Sequence, residues 1–464
     1  MDSKYVVAIE IGSSLIKGAI GVVDDIGTLK VCAVESRDIV DCVRYGCIQN
    51  VEEVRATVAD IVLALEARTN ISPRKVKSVY VALGGRSLQS YRRELERNFD
   101  QETEITSEVI NELLDEAHLE SFIEKDITDV LPMGFVVDKM KHTNPKGTYG
   151  HNLKVTLNII ACRPQIIRNI RRVLEEKMQL QINDFVNRQM AIADLVLTPE
   201  ETQLGCALVD FGAETTTVSV HKSGVLQSLI TIPLGSRNIT RDLTSLNLTE
   251  EQAEKIKRNN VNANYNENPS SCGKLNIEGV DEVEINKYVQ ARASEIVANI
   301  FVYIKANGLK NGNIVVVGGG AKLKGFNSLL EESSSLKVRS GKLNARIQIA
   351  DNSIQSDDDV DVIAVLNAAV QSNKEAIVNC MTDVDTNQYL SESNVIEIGS
   401  DDNSNVDKDE DLEEIDGNGK DGNDVPERPK PGPKGKDWFV RIKERIKAVL
   451  EEEIAENLDE DKEK

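Results

Sequence analysis

The chain has 464 residues, of which 40% are apolar and 4% aromatic. This length predicts about three domains, and the composition is typical of an α/β protein. The formal net charge of −22 is concentrated in residues 401–424 and 451–464, which hold eleven and eight Asp/Glu against two Lys each. The remainder is only mildly acidic, so the charge gives no support for nucleic-acid binding. Seven cysteines without a CxxC pair predict reduced cytosolic thiols, and we expect neither a signal peptide nor a transmembrane segment.

The N-terminal region is predicted to alternate strands with a helix. Apolar runs indicate strands at residues 5–9, 15–23, 29–37 and 77–83. Residues 51–67 have helical spacing, with Val54, Val58, Ile61 and Leu65 on one face. This order of elements favours an α/β architecture.

The turn between the first two strands has a composition that suits phosphate. The first strand runs into Glu10, and Gly12, Ser13 and Ser14 follow at the turn. Backbone N–H groups and hydroxyls at a tight turn, with Lys17 on the return strand, are groups that bind phosphate. An ordinary hairpin with a polar tip accounts for this stretch equally well.

Residues 90–163 are more charged and are predicted to form an inserted small α/β module. A helix is expected at 107–117 and strands at 134–139 and 154–161. Helices are predicted to follow at 165–177 and 189–197.

The pattern of the N-terminus then recurs. The apolar strand at 206–210 ends in Asp210, a turn containing Gly212, Ala213 and Glu214 follows, and 217–221 is predicted as the return strand. A second sequence of strand, acid, glycine and hydroxyl residues indicates an internal duplication. The duplication is more specific than either copy alone.

The last part of this region contributes two further elements. A buried strand at 313–317 runs into Gly318, Gly319 and Gly320, which allow close approach of backbone to a ligand. Glu254 and Lys257, three residues apart on a predicted helix at 249–258, share one face and could meet a ribose hydroxyl and a purine. Together the four elements predict a nucleotide in a cleft between two lobes.

Beyond about residue 372 the pattern changes. Residues 382–436 are rich in Asp, Asn, Ser and Gly and are predicted to be a disordered tether. Residues 437–450 are predicted as an amphipathic helix, with an apolar stripe and a basic flank that suit anionic lipid headgroups. The stripe consists of Trp438, Phe439, Ile442, Ile446, Val449 and Leu450, and the flank of Arg441, Lys443, Arg445 and Lys447. Docking on the chain's own domain or on a partner helix is the alternative, and the acidic residues 451–464 predict that lipid contact ends near Leu450.

On these motifs, residues 4–370 resemble the actin-like ATPases and, within them, the FtsA cell-division family. The matching segments are the phosphate loops at 10–17 and 210–220, the nucleoside helix at 253–258, the adenosine motif at 315–326 and the insert strand at 131–138. The resemblance implies an actin-like fold with two duplicated ribonuclease H-like lobes, an inserted small α/β subdomain, a disordered tether and a C-terminal amphipathic helix.

The expected domains follow from this resemblance. The first lobe comprises 1–89 and 164–203, the insert 90–163, the second lobe 204–371, the acidic linker 372–436, the membrane-targeting helix 437–450 and the tail 451–464.

The resemblance also implies ATP and Mg²⁺ as cofactors. The β- and γ-phosphates would be contacted by Gly12, Ser13, Ser14 and Lys17, and Gly212 and Ala213 would also lie at the phosphates. Asp210 would hold Mg²⁺ through water. The nucleoside would lie at Glu254, Lys257 and Arg258, and the adenosine beside Gly318, Gly319 and Gly320.

Two features depart from the family pattern. Ala213-Glu214 replaces glycine in the second loop, and Arg188-Gln189 stands where chaperones and filament-forming relatives carry Glu-Pro. We therefore expect nucleotide binding with weak or absent hydrolysis.

The implied function is assembly rather than catalysis. A member of this family would self-associate and tether filaments of FtsZ to the cytoplasmic face of the membrane at the septum. Other division proteins are further candidate partners. The alternatives are a small-molecule or sugar kinase of the same fold, which needs a catalytic acid near the γ-phosphate, and another actin-like assembly ATPase.

Overall fold

The computed structural model describes residues 4–24, 27–69, 74–119, 124–265, 276–343, 347–350, 354, 357–372 and 377–382. The predicted terminal helix with its apolar and basic residues, the acidic tail and nearly all of the linker lie outside the described residues. Among the helices that are described, none is long and apolar enough to cross a membrane.

The strands, numbered in chain order, are β1 (Lys4–Ile11), β2 (Leu15–Val23), β3 (Leu29–Asp38), β4 (Val43–Arg44), β5 (Cys47–Ile48), β6 (Ser78–Leu83), β7 (Gln89–Glu104), β8 (Asp126–Val137), β9 (Met140–His142), β10 (Tyr149–Cys162), β11 (Gln181–Asn187), β12 (Cys206–Phe211), β13 (Thr216–Lys222), β14 (Val225–Ile232), β15 (Asn276–Ile277), β16 (Val280–Asp281), β17 (Asn313–Val317), β18 (Lys337–Ser340) and β19 (Gln348–Ile349).

The helices are α1 (Val51–Thr69), α2 (Ser107–His118), α3 (Pro164–Arg171), α4 (Arg188–Val196), α5 (Pro199–Leu204), α6 (Ser236–Leu243), α7 (Glu250–Asn259), α8 (Glu282–Ala306), α9 (Phe326–Ser334) and α10 (Val360–Ser372). A π-helical turn (Arg172–Lys177) extends α3, and 3₁₀ turns occur at Thr244–Leu246 and Gly319–Lys322.

The first sheet has the strand order β11-β6-β1-β2-β3-β19. Its central strand β1 is buried almost throughout, because helices cover the sheet and such strands are near-continuous apolar runs. Helix α1 packs against β2 and β3 through Val54, Val58, Ile61 and Leu65, the face expected from the sequence. Helix α10 packs against β1, β2, β6 and β11.

The second sheet repeats the topology of the first. Its order begins β18-β17-β12-β13-β14, with β12 antiparallel to β13 and parallel to β17, as β1 is antiparallel to β2 and parallel to β6. Its core lies against α6, α7, α8 and α9. The internal duplication predicted from two short motifs therefore extends to whole sheets.

The inserted module adds its strands to this second sheet, in the order β14-β7-β10-β8-β9. Strand β7 pairs with β14 at Gln89 and Ile230, and the Ser90 hydroxyl accepts a hydrogen bond of 2.8 Å from the Leu229 N–H. Helix α2 covers a separate small core that includes Leu113 and Leu153.

Two features differ from the sequence expectation. The sequence did not predict the long strand β7, because many of its residues are charged. Leu95 and Phe99, which lie on one face of this strand, pack on the insert core. At the other end of the range expected for the second lobe, β19 pairs with β3 and α10 packs on the first sheet. The chain therefore returns to the first lobe before residue 371.

We predict that acid destabilises the fold through His221 on β13. Burial lowers the pKa of this imidazole from 6.5 to about 4, so the folded state keeps it neutral. The stabilisation is complete above the unfolded pKa of 6.5 and is lost as pH falls towards 4. From about pH 7.5 to about pH 5.5, wild type should lose about 1 kcal/mol more free energy of unfolding than His221→Gln. Urea denaturation measures this, with the exposed His151→Gln as a control that should behave like wild type. An equal loss in His221→Gln would contradict the prediction.

Candidate functional site

The duplicated hairpins β1–β2 and β12–β13 have the same turn. The Gly12 N–H donates to the Leu15 carbonyl at 3.0 Å, and the Gly212 N–H donates to the Thr215 carbonyl at 2.9 Å. A Cβ on Gly12 would lie 2.8 Å from the Leu15 oxygen, so the turn requires glycine there. Within the described part of the chain, the N–H groups of Ser13 and Ser14 have no hydrogen-bond acceptor. These two donors remain available to a ligand, whereas that of Gly12 is used by the turn.

The second turn is additionally supported by a helix. The N–H groups of Ser236 and Arg237, at the start of α6, donate to the carbonyls of Gly212 and Ala213 at 2.9 and 2.7 Å. These bonds satisfy donors that a helix N-terminus leaves unpaired. They also fix the position of the turn relative to α6.

A single arginine bridges the carboxylates that precede the two turns. Glu10 and Asp210 lie two residues before Gly12 and Gly212, at equivalent positions of the duplicated hairpins. Arg188 Nη1 lies 2.5 Å from Glu10 Oε1, and Arg188 Nη2 lies 2.6 Å from Asp210 Oδ2. Burial raises the pKa of Glu10, and the Arg188 charge opposes this shift and favours the ionised carboxylate. Arg188 thus offsets part of the negative charge at the inner end of both loops.

Lys17 is held by the start of α10. Its ammonium lies 2.9 Å from a carboxylate oxygen of Asp361 and 2.5 Å from the Asp358 carbonyl. Burial disfavours the charged form, but Asp361 and Glu10 raise the pKa of Lys17 above its ordinary value. The contact of Lys17 with phosphate stays a prediction, and it requires the ammonium to share or leave these partners.

The carboxylate of Glu214 has its hydrogen-bond and ionic partners outside the loop that carries it. One carboxylate oxygen accepts from the Tyr45 N–H at 2.7 Å, and the other lies 2.8 Å from Arg241 and 3.7 Å from Arg237. The negative charge of Glu214 would repel a phosphate in this loop, and two guanidinium groups reduce that repulsion. Since Tyr45 follows β4, the carboxylate also joins the second loop to the first lobe.

Two of the three consecutive glycines are required by β12 itself. A Cβ on Gly318, whose φ is +90°, would lie 2.6 Å from Asp210 Oδ1, and a Cβ on Gly320 would lie 2.7 Å from the Phe211 ring. A Cβ on Gly319 would have no atom within 4 Å. Of these three glycines, only Gly319 therefore has open space beside it.

Helix α7 brings the predicted nucleoside residues together. Glu254 contacts the Lys257 ammonium at 2.6 Å, the Thr240 hydroxyl at 2.6 Å and Arg258 Nε at 2.9 Å. Burial favours the neutral acid, yet Lys257, Thr240 and Arg258 lower the pKa of Glu254 to about 2. The shared face expected from the i, i+3 spacing is present as a fixed ion pair.

All of the residues that the sequence predicted for the nucleotide line one cleft between the lobes, with a volume of about 1460 Å³. They are Gly12, Ser13, Ser14, Lys17, Asp210, Gly212, Ala213, Glu254, Lys257, Arg258, Gly318, Gly319 and Gly320. Sequence reasoning left out Arg188 as a binding residue and Asp361 as the partner of Lys17. A strand prediction at 181–187 would have placed Arg188 at the carboxyl edge of the sheet.

The contacts of Asp210 oppose direct binding of a Mg²⁺ ion to its carboxylate, and the contact with Mg²⁺ through water stays a prediction. Oxygen Oδ2 is paired with Arg188, and Oδ1 faces Gly318 closely enough to exclude a Cβ. Magnesium needs near-octahedral oxygen ligands, and an arginine cation in the same space opposes a second cation. In the described residues, no group of three or more His, Cys, Asp or Glu could hold a metal ion.

Comparison with known proteins agrees with this architecture. A family model described as cell division protein FtsA matches residues 207–357, and one described as the SHS2 domain inserted in FtsA matches residues 85–161. The solved PilM-PilN type IV pilus biogenesis complex contains a chain with a TM-score of 0.57 at 15% identity, covering 79% of this chain and 98% of that one. This likeness concerns the fold, and the actin-like class expected from the sequence is confirmed.

Sequence relatives extend the match over both lobes. The cell division protein FtsA of Porphyromonas gingivalis is 31% identical over 360 residues, covering 74% of each chain. That of Staphylococcus epidermidis is 26% identical over 418 residues, covering 83% of this chain and 87% of the relative. That of Escherichia coli is 23% identical over 361 residues, covering 73% and 84%. The chain therefore belongs to the FtsA family of cell-division proteins.

Proposed function

We propose that this cell-division protein binds ATP in the cleft, self-assembles, and tethers FtsZ filaments to the cytoplasmic face of the membrane at the septum. Membership of the FtsA family supports the role in division. The observation that carries the nucleotide proposal is the meeting of two equivalent hairpin turns and a glycine-rich strand end at one cleft. Such backbone groups suit a phosphate chain and a nucleoside.

In this proposal the phosphates lie at Ser13 and Ser14, whose N–H groups are available, with Lys17 nearby. The nucleoside lies between Gly319 and the α7 face that carries Lys257 and Arg258. Lys257 is buried and donates to the Thr240 hydroxyl at 2.9 Å, so it is positioned by the protein before any ligand binds. Preorganised donors reduce the entropy that binding must overcome.

Hydrolysis is expected to be slow. Activation of water requires a free carboxylate or another base within hydrogen-bond reach of it. The two carboxylates at the phosphate turns, Glu10 and Asp210, are both engaged by Arg188, and Gln189 donates to the Leu208 carbonyl at 3.0 Å. Bound ATP would then act as an assembly cofactor rather than as a substrate that turns over rapidly.

Membrane attachment would come from residues 437–450 on the linker 372–436, and self-association from the lobes with the insert at 90–163. Each basic side chain near an anionic surface contributes about 1 kcal/mol, and polymerisation multiplies such weak contacts through avidity. Other division proteins are further candidate partners. A sugar kinase of the same fold is the alternative, but Glu10 and Asp210, the acids that precede the two hairpin turns, are both paired with Arg188 and are not free to act as its catalytic acid.

We predict that Gly319→Glu weakens ATP binding by about tenfold or more, because it adds a negative charge beside the ligand. A Cβ at this position has no protein atom within 4 Å, so thermal unfolding should match wild type. Titration of a fluorescent ATP analogue into the full-length protein measures the affinity. Gly319→Gln is the matched control of similar size without charge and should bind more tightly than Gly319→Glu. Affinity equal to wild type in both variants would contradict ATP binding at this strand end.

We also predict that the chain brings FtsZ to membranes. Purified FtsZ should sediment with anionic liposomes only when the full-length protein and ATP are present, because the terminal helix supplies the lipid contact. A chain ending at Asp424 and the variant Ile446→Glu should leave FtsZ in the supernatant. Glu463→Gln, in the acidic tail beyond the expected lipid contact, is the control and should sediment FtsZ like wild type.

The outcomes separate the parts of the proposal. If the protein sediments alone while FtsZ does not, the membrane helix is supported and the partner is refuted. If neither sediments, membrane anchoring is refuted and kinase activity towards small hydroxyl compounds becomes the next measurement.

A further inference from the structure

We propose that Arg188 is a built-in cation at the phosphate end of the cleft, so that this chain binds ATP without a divalent metal held by its own carboxylates. The inference deepens the proposed function and rests on it, since it concerns how the same cleft holds the same ligand. It assigns a binding role to a residue that the sequence comparison marked only as a departure from related proteins.

The position of Arg188 is set by its place in the chain. It is the first residue of α4, directly after β11, and Asn187 caps the helix by accepting from the Met190 N–H at 3.3 Å. The guanidinium presents two donors to two different carboxylates, on β1 and β12. A planar fork can do this at fixed geometry, whereas a lysine ammonium is a point charge on a flexible stem.

The two carboxylates need a cation if an anionic ligand is to approach them. Glu10 and Asp210 are only 3% and 5% exposed, so their charges are poorly screened by water. Beside the phosphates of ATP, two such unpaired charges would strongly oppose binding. Proteins commonly place Mg²⁺ between carboxylates and phosphates for this reason. Arg188 supplies a positive charge at this point by itself.

The neighbouring acid is also paired within the chain. Asp361 contacts Lys17 through both carboxylate oxygens, at 2.9 and 3.0 Å. Arg188 remains charged because Asp210 and Glu10 raise its pKa against the effect of burial. Glu10, Asp210 and Asp361 therefore all have cationic partners within the chain, and a metal bound by one of these three acids would have to displace its partner.

The first test uses wild-type, full-length protein. A fluorescent ATP analogue is titrated in excess Mg²⁺ and, separately, in excess EDTA. The dissociation constants should differ by less than about threefold. Binding in Mg²⁺ alone would overturn the inference and leave the proposed function intact. Binding in neither buffer would overturn both.

The second test removes the charge. Arg188→Gln should bind the analogue about 30-fold more weakly than wild type in EDTA, and Mg²⁺ should restore most of the loss because the freed carboxylates can then share a metal. The control Arg171→Gln removes an exposed arginine that pairs with Glu175 on the surface and should match wild type in both buffers. Wild-type affinity of Arg188→Gln in EDTA would overturn the inference.

Arg188→Gln leaves two buried carboxylates unpaired, so its unfolding transition is recorded beside the titration. The double variant Glu10→Gln/Arg188→Gln removes one of these charges and should bind more tightly in EDTA than Arg188→Gln. Weaker binding by the double variant would contradict the inference. The wild-type comparison needs no substitution and decides the question even if Arg188→Gln does not fold.

Discussion

The arrangement of the cleft depends on one ion-paired arginine. Arg188 contacts Glu10 near the end of β1 and Asp210 near the end of β12, which are equivalent strands of the two duplicated sheets. It therefore joins the two hairpin turns across the cleft. A buried pair of this kind adds little net stability compared with apolar packing, but loss of one member typically costs about 3–5 kcal/mol. The bridge is therefore better understood as a constraint on geometry than as a main source of folding energy.

A second group of polar contacts joins the two lobes across the same cleft. Glu214 reaches from the second loop to the Tyr45 N–H, and its other oxygen is held by Arg237 and Arg241. Arg237 also lies 3.7 Å from Asp41 of the first lobe. Both sets of contacts use charged groups, and charged groups respond to an anion placed among them. The structure thus joins the lobes at the cleft largely by contacts of charged side chains.

The sequence predicted those parts of the site whose partners are close in the chain. Both hairpin turns follow from local patterns, and the contact of Glu254 with Lys257 follows from helical spacing. Arg188 was missed as a bridge because β11 has an irregular burial pattern and its partner Glu10 is 178 residues away. Asp361, 344 residues from Lys17, was likewise missed because α10 returns to the first sheet. Such pairings depend on topology, which local periodicity does not determine.

The same topology links the cleft to the insert. The second hairpin turn leads into β13, β13 pairs with β14, and β14 pairs with β7 of the insert. The junction consists of one paired residue on each strand, the bond from the Leu229 N–H to Ser90, and a buried bond from the Asn158 amide of β10 to the Leu226 carbonyl. Because the Asn158 bond is buried, the second strand of the insert that reaches β14 fixes the module as well as β7 does. The insert is therefore part of the sheet that carries the second hairpin turn, rather than a separate appendage.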